Sequence, residues 1–339
     1  MSSSGTPRLL VQTAPFLREG VTTPRLMGDV HIALVPVVLV TIWIFGLTSL
    51  LVIAAATAGA MGVEWLWGRP GPKGSSLKDG SAALTGVLLG LTLPPGLPLW
   101  MAFLGGVVGV GLGKLIWGGL GYNLFNPALV GRAFLQAAFP IAITTWHPPA
   151  GLLAVRPSNF ALPLMQAPPP PPDAITTATS LNLMKFANEA TPVADLLRGN
   201  TAGSLGETSA LVILLAGLWL AARRSFDWRI PASILITVAV LSGILYMVSP
   251  DKFPTPLFML FSGGLLFGAV FMATDPVTSP LAPRGVWLFG FGIGALVVLI
   301  RIWGGLPEGV MYAILLMNAA TPLIERVTQP RAFGHGGRS

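Results

Sequence analysis

Stretches of about 18 or more apolar residues recur along this chain, each long enough to cross a hydrocarbon core about 30 Å thick at 1.5 Å per helical residue. Lipid offers backbone N–H and C=O groups no water, so such stretches cross as helices. The 339 residues are 53% hydrophobic and only 10% charged, with mean hydropathy +0.73. A soluble domain of this length needs far more surface charge. The expectation is an all-α integral membrane protein.

Hydrophobic windows place ten transmembrane helices at roughly 30–46, 48–67, 80–96, 98–117, 127–145, 208–222, 230–249, 256–274, 284–300 and 307–325. An even number puts both termini on one side, and the basic residues choose the side, because Lys and Arg are retained in the cytoplasm. With the N-terminus inside, only Arg156, Lys185, Arg198, Lys252 and Arg301 of the 20 Lys and Arg fall outside; the cytoplasmic remainder includes Lys114 and Arg132. This divides the chain into a cytoplasmic arm (1–29), a first five-helix repeat (30–146), an extracytoplasmic loop (147–207), a second five-helix repeat (208–325) and a cytoplasmic tail (326–339). The net charge of +7 would suggest nucleic acid in a soluble protein, but these charges flank membrane segments, so the partner expected is lipid and not nucleic acid. The first apolar run begins near Val30 and is too long for a signal-peptide core. The absence of cysteine excludes thiolate-held iron–sulfur clusters, disulfides and Cys-based zinc sites within the chain.

The two halves repeat. "LIWGGL" at 115–120 matches "RIWGGL" at 301–306, and an Asn/Pro element follows each, "FNPA" at 125–128 and "MNAATP" at 317–322. Upstream, "GVLLGLTLP" at 86–94 aligns with "GAVFMATDP" at 268–276. Five helices per half make the second half enter from the opposite side, an inverted repeat whose polar, Pro-interrupted segments meet near the midplane. Those segments hold Asn123, Asn126, Thr274 and Asp275, candidates for an ion or cofactor pathway. Asn126-Pro127 and Asp275-Pro276 read equally well as helix caps followed by Pro at the first helical position. Asp275 stands out because an acid beside the membrane is costly unless it serves function. The glycines of "GGVVGVGLG" at 105–113 suit close helix packing. His31, His147 and His335 have no metal-ligand spacing.

The loop carries the other unusual stretch, "PPPPPDAITTATSLN" at 168–182. Five prolines form a stiff polyproline II spacer, and the hydroxyl cluster beyond them suits a turn or the cap of a short helix starting near Ser180. The pattern Asp173-x-x-Thr176-Thr177-Ala178-Thr179 also resembles the motif at which a flavin transferase joins FMN, through its phosphate, to the last threonine. "GYNLFNPALVGRAF" at 121–134 and "FMATDPVTSP" at 271–280 resemble signatures of the D-type membrane subunits of Rnf ion-translocating oxidoreductases, and of the similar B-type subunits of sodium-translocating NADH:quinone reductases.

The resemblance implies covalent FMN on Thr179, with Asp173, Thr176 and Ala178 recognised by the transferase and Ser180 a neighbouring hydroxyl. Thr177 departs from the usual Gly or Ser, and Ser180 from the frequent Pro. It further implies a multi-pass subunit of a bacterial inner-membrane complex, with the loop periplasmic. That complex includes a second flavin-carrying subunit and iron–sulfur subunits and links ferredoxin and NAD(H) to Na+ or H+ movement. A second, non-covalent flavin between the helices is compatible with it. The alternative from the repeat alone is an inverted-repeat channel or secondary transporter for a small solute, without a flavin.

Overall fold

The computed structural model describes residues 22–68, 76–163, 178–207 and 209–329. Its elements are α1 (Thr23–Phe45), α2 (Leu47–Trp67), α3 (Ser81–Leu91), α4 (Leu99–Val110), α5 (Pro127–Ala138), α6 (Pro140–Thr144), α7 (Ser180–Asn182), α8 (Val193–Arg198), α9 (Ala210–Ala222), α10 (Arg229–Val248), α11 (Pro256–Phe261), α12 (Leu265–Phe267), α13 (Pro283–Trp303) and α14 (Val310–Thr328). Among the described residues there is no strand. Five helices, α1, α2, α10, α13 and α14, are long and apolar enough to cross a membrane.

Several of the ten expected helices are interrupted, and each interruption has a local cause. The window 80–96 becomes an 11-residue α3 ending at Leu91, with Thr92 as its C-cap, because Pro94 and Pro95 supply no N–H to continue it. The window 127–145 breaks at Phe139 and restarts with Pro140 at the first position of α6. The window 256–274 breaks at Ser262-Gly263-Gly264, where Gly263 has φ +64°, and resumes as α12 followed by a π-helical turn, Gly268–Met272. A second π-turn, Gly111–Leu115, extends α4.

α1 and α9 lie antiparallel. Asp29 near the start of α1 pairs with Arg223 just after α9 at 2.8 Å, while Thr41 near the end of α1 donates to Leu205 O, just before α9, at 2.7 Å. α2 packs along α4 as α10 packs along α13. The glycines of 105–113 do what their spacing suggested: a Cβ on Gly106 would collide with the α2 backbone at Ala56, and one on Gly113 would lie 2.7 Å from Pro127 Cα. Lys114, expected among the cytoplasmic charges, is instead an interior residue. It donates to both Glu64 carboxylate oxygens at 2.7 Å and to Ser81 Oγ at 2.6 Å, with its side chain 2% exposed.

The segment after α6 packs over the first half. Ala150 N–H donates to Ile44 O, Leu152 O accepts from Leu47 N–H, and Arg156 donates to Phe45 O at 2.7 Å, which seals the α1–α2 junction at Gly46. Asn159 donates to Pro95 O at 3.0 Å and Leu97 O at 2.8 Å. The imidazole of His147 lies against Gly96, where a Cβ would strike the ring.

Removing one partner of the Glu64–Lys114 pair strands a buried charge, so Glu64→Gln is expected to cost about 3–5 kcal/mol, and the double variant Glu64→Leu/Lys114→Met less. Thermal aggregation of the detergent-purified protein gives the order. Burial, and then the charge of Arg156, holds His147 below the usual histidine range. Below about pH 6.5 the unfolded imidazole takes up a proton that the folded one resists, so attachment of this segment weakens as pH falls. Proteolysis between 148 and 163 should be faster near pH 5 than at neutral pH, and His147→Gln should reduce the difference.

Candidate functional site

The interruptions leave backbone groups inside the protein without helical partners, and side chains from distant elements supply them. Beyond α3, Leu91 O accepts from Gly206 N–H, Leu93 O from Leu205 N–H at 3.0 Å, and Thr92 O from Arg132 Nη1 at 2.6 Å. At the break between α11 and α12, Arg301 donates to Met259 O at 2.6 Å and Ser262 O at 2.9 Å, and Glu308 accepts from Gly264 N–H at 2.6 Å. Arg132 and Glu308 join the two sets at 3.3 Å. A cavity of about 180 Å³ opens beside them, lined by Thr92, Arg132, Asn182, Gly264 and Glu308 among others.

A second cavity, about 80 Å³, gathers all four pathway candidates: Asn123, Asn126, Thr274 and Asp275, facing Ser81, Thr85 and Lys114. The start of α3 therefore meets the end of the 265–272 run at this cavity, while the end of α3 meets the start of that run at the other. Asn126 ties the halves together. Its Oδ1 accepts from the N–H groups of Ala128 at 3.0 Å and Leu129 at 3.3 Å, capping α5, and its Nδ2 donates to Met272 O at 3.2 Å. In the amide orientation that satisfies both neighbours, Asn318 accepts from Asn126 N–H at 3.1 Å and donates to Ile314 O at 3.2 Å. Asp275-Pro276 does not open a helix as expected: Asp275 accepts from Val277 N–H at 3.2 Å and Thr278 Oγ1 at 3.4 Å within a turn, and the next helix, α13, begins at Pro283.

Asp173 and Thr176 lie outside the described residues, whereas Ala178, Thr179 and Ser180 lie within them. Ala178 is exposed; Thr179 is buried, 8% exposed, and caps α7 by accepting from Asn182 N–H at 3.2 Å. A phosphoryl group on that oxygen would sit against the first N–H groups of a helical turn, a favourable place for an anion. Lys185 anchors this segment to the end of α13, donating to Gly304 O at 2.5 Å, Leu306 O at 2.9 Å and Ile300 O at 3.3 Å. On the same side opens a cavity of about 490 Å³, with Leu181, Met184, Lys185, Phe253, Arg301 and Trp303 on its wall. Its aromatic wall and size suit a planar ring system, while Lys185 and Arg301 are committed to backbone carbonyls, Asp251 also lines it, and Thr179 lies outside its wall, reaching it through Leu181 two residues on.

The charged residues Glu64, Lys114, Arg132, Glu207, Arg301 and Glu308 are the part of the site that sequence reasoning passed over. The signal available was a charge inside or at the edge of an apolar window, as with Lys114 and Arg132; distributing charges between loops concealed it.

The NQR2, RnfD, RnfE family matches residues 10–334. The chain is similar to the D-type subunit of the ion-translocating oxidoreductase complex of Stutzerimonas stutzeri, 42% identical over 331 residues and 93% of each chain. It is also similar to the D-type subunit of the proton-translocating ferredoxin:NAD(+) oxidoreductase complex of Clostridium ljungdahlii, 36% identical over 334 residues and 96% of each. Its identity to the corresponding ion-translocating oxidoreductase complex subunit of Pseudomonas aeruginosa is 40% over 332 residues, 95% of each chain. On a match spanning nearly its whole length, this helical chain belongs to the NQR2, RnfD, RnfE family.

Proposed function

We propose that the chain is the D-type membrane subunit of an ion-translocating oxidoreductase complex in a bacterial cytoplasmic membrane, and that it carries FMN joined through its phosphate to Thr179. The observation that carries the reading is the acceptor pattern Asp173-x-x-Thr176-Thr177-Ala178-Thr179, in a chain similar over nearly its whole length to the D-type subunits of such complexes. The cap geometry of Thr179, and the large aromatic-walled cavity that begins at Leu181, support the attachment. Bound there, the flavin would supply one- and two-electron transfer. The chain's own part would be to hold it: the start of α7 would face the phosphoryl group, Lys185 fixes the segment to the end of α13, and Phe253 and Trp303 would form part of the wall against the ring.

The partners in this reading are a flavin transferase for maturation, a second flavin-carrying subunit, iron–sulfur subunits, and ferredoxin and NAD(H) as electron donor and acceptor of the whole complex. Coupling is to Na+ or H+. The ten helical segments form two inverted five-helix repeats with both termini cytoplasmic and the Thr179 loop periplasmic. The antiparallel α1 and α9, and the head-to-tail meeting of α3 with 265–272, support this arrangement. The cavity containing Asp275, Thr274, Asn123 and Asn126 is then the place for an ion path or for a second, non-covalent flavin.

Mass spectrometry of the loop peptide after co-expression with a competent transferase is expected to show FMN phosphate on Thr179. The wild-type band should fluoresce on a denaturing gel, and Thr179→Ala should lose both the fluorescence and coupled electron transfer. An unmodified peptide and a colourless protein would favour the channel or transporter reading. Asp275→Asn is expected to lose ion transport while flavin attachment is kept, measured as ion uptake by proteoliposomes containing the complex.

A further inference from the structure

A band of basic and aromatic side chains at one end of the helices takes no part in the candidate site. The starts of α1, α10 and α13, three of the five membrane-capable helices, lie at that end. Asp29 of α1 accepts from Arg223 and from Ser225, each at 2.8 Å, in the turn that joins α9 to α10. Trp228, at the start of α10, meets Trp287 of α13 edge-on, with ring centroids 6.4 Å apart. α10 and α13 run parallel: Ser233 donates to Trp287 O at 2.8 Å, and Cβ atoms on Gly290 and Gly294 would strike Ser233 and Thr237. This register sets Arg229 and Arg284 at nearly the same level. Arg229 follows Trp228 in the chain, and Arg284 lies one turn before Trp287.

Positive charge is in excess here. Arg223 is committed to Asp29 and lies over the Trp219 ring, 5.4 Å from its centroid. Arg229 has Asp227 at 4.0 Å, with both side chains more than a third exposed. Arg224 and Arg284 are exposed and make no ion pair or side-chain hydrogen bond among the described residues. Three arginines therefore face one carboxylate. Arg224 also holds φ +56° after α9, where its N–H donates to Ala221 O and Ser225 N–H donates to Leu220 O. Glycine fills that left-handed cap with less strain, so the turn itself gives no reason for an arginine. Further along, the two helices expose apolar side chains, Ile236 and Val240 on α10 and Leu288 and Phe291 on α13.

We propose that the starts of α10 and α13 bind an anionic phospholipid. Its phosphate is held by Arg224, Arg229 and Arg284, its glycerol region rests on the Trp228–Trp287 pair, and its acyl chains follow the apolar side chains beyond. Tryptophan at the end of a membrane-capable helix lies at headgroup level, and a guanidinium binds a phosphodiester through two N–H groups. Basic sites between such helices favour anionic headgroups. A zwitterionic lipid brings its own ammonium and gains less from the arginines. Free phosphate leaves the tryptophans and the apolar side chains unused, and so does an acidic soluble partner. The site is independent of the reading of Thr179.

Native mass spectrometry of the full chain, released from micelles holding phosphatidylglycerol and phosphatidylcholine in equal amounts, counts the lipids retained. The wild type is expected to retain phosphatidylglycerol in preference. Arg229→Gln/Arg284→Gln should lower that preference about tenfold. Trp228→Leu/Trp287→Leu should retain less of both lipids, and Arg198→Gln, on α8, should match the wild type. An unchanged thermal midpoint in plain detergent shows that the variants are folded. On the wild type alone, inorganic phosphate in millimolar excess should leave the lipid in place. A wild type without preference overturns the proposal, as does a preference that Arg229→Gln/Arg284→Gln leaves intact. Release of the lipid by phosphate makes the place a simple anion site, and its displacement by an acidic subunit of the purified complex makes it a protein interface; either result also overturns it.

Discussion

Backbone hydrogen bonding inside lipid sets the terms for this structure. A chain that interrupts its helices within an apolar body must satisfy the freed N–H and C=O groups from elsewhere in the protein. The Arg132–Glu308 pair does this for both halves at once, one member holding Thr92 O beyond α3 and the other holding Gly264 N–H before α12. Arg301 and the 205–206 backbone complete the same task. These charges are retained in the interior because each finds backbone partners that would otherwise be unsatisfied.

The same economy explains why polar residues cluster at the candidate site. Asn126 caps α5, binds Met272 O and meets Asn318, so a single amide closes a helix start and ties the halves together. Asp275 shapes its own turn and still faces a cavity shared with Lys114 and Ser81. On the other side of the Asn126–Met272 contact, the acidic and basic side chains around Gly264 border the segment that begins at Thr179. The helix breaks thus bring polar chemistry close to the loop without exposing backbone to lipid.

Much of the fold was legible because apolar length is a strong local signal. The windows for α1, α2, α10, α13 and α14 correspond to long helices, their ends lying within a few residues of expectation except at the start of α1. The interruptions at Pro94, Phe139 and Gly263 were less legible: a hydropathy window averages over a proline or glycine that the backbone cannot ignore. Of the candidate site, Asn123, Asn126, Thr274 and Asp275, singled out in the sequence, line one cavity, and Thr179, singled out by its motif, caps α7. Glu207 and Glu308 were missed, since a lone acid in a connection looks solvated until its neighbours are known.

The sequence by itself determined that the chain is helical and carries several membrane-capable segments. Those properties depend on composition and order along the chain. Only the tertiary structure decided which charges are interior, that Lys114 pairs with Glu64 and Arg132 with Glu308, and that Glu207 and Thr179 border one small cavity. Each pairing joins residues far apart in sequence, and the energy that selects it, the desolvation of a charge against the hydrogen bonds it gains, is defined only once the chain has closed around it.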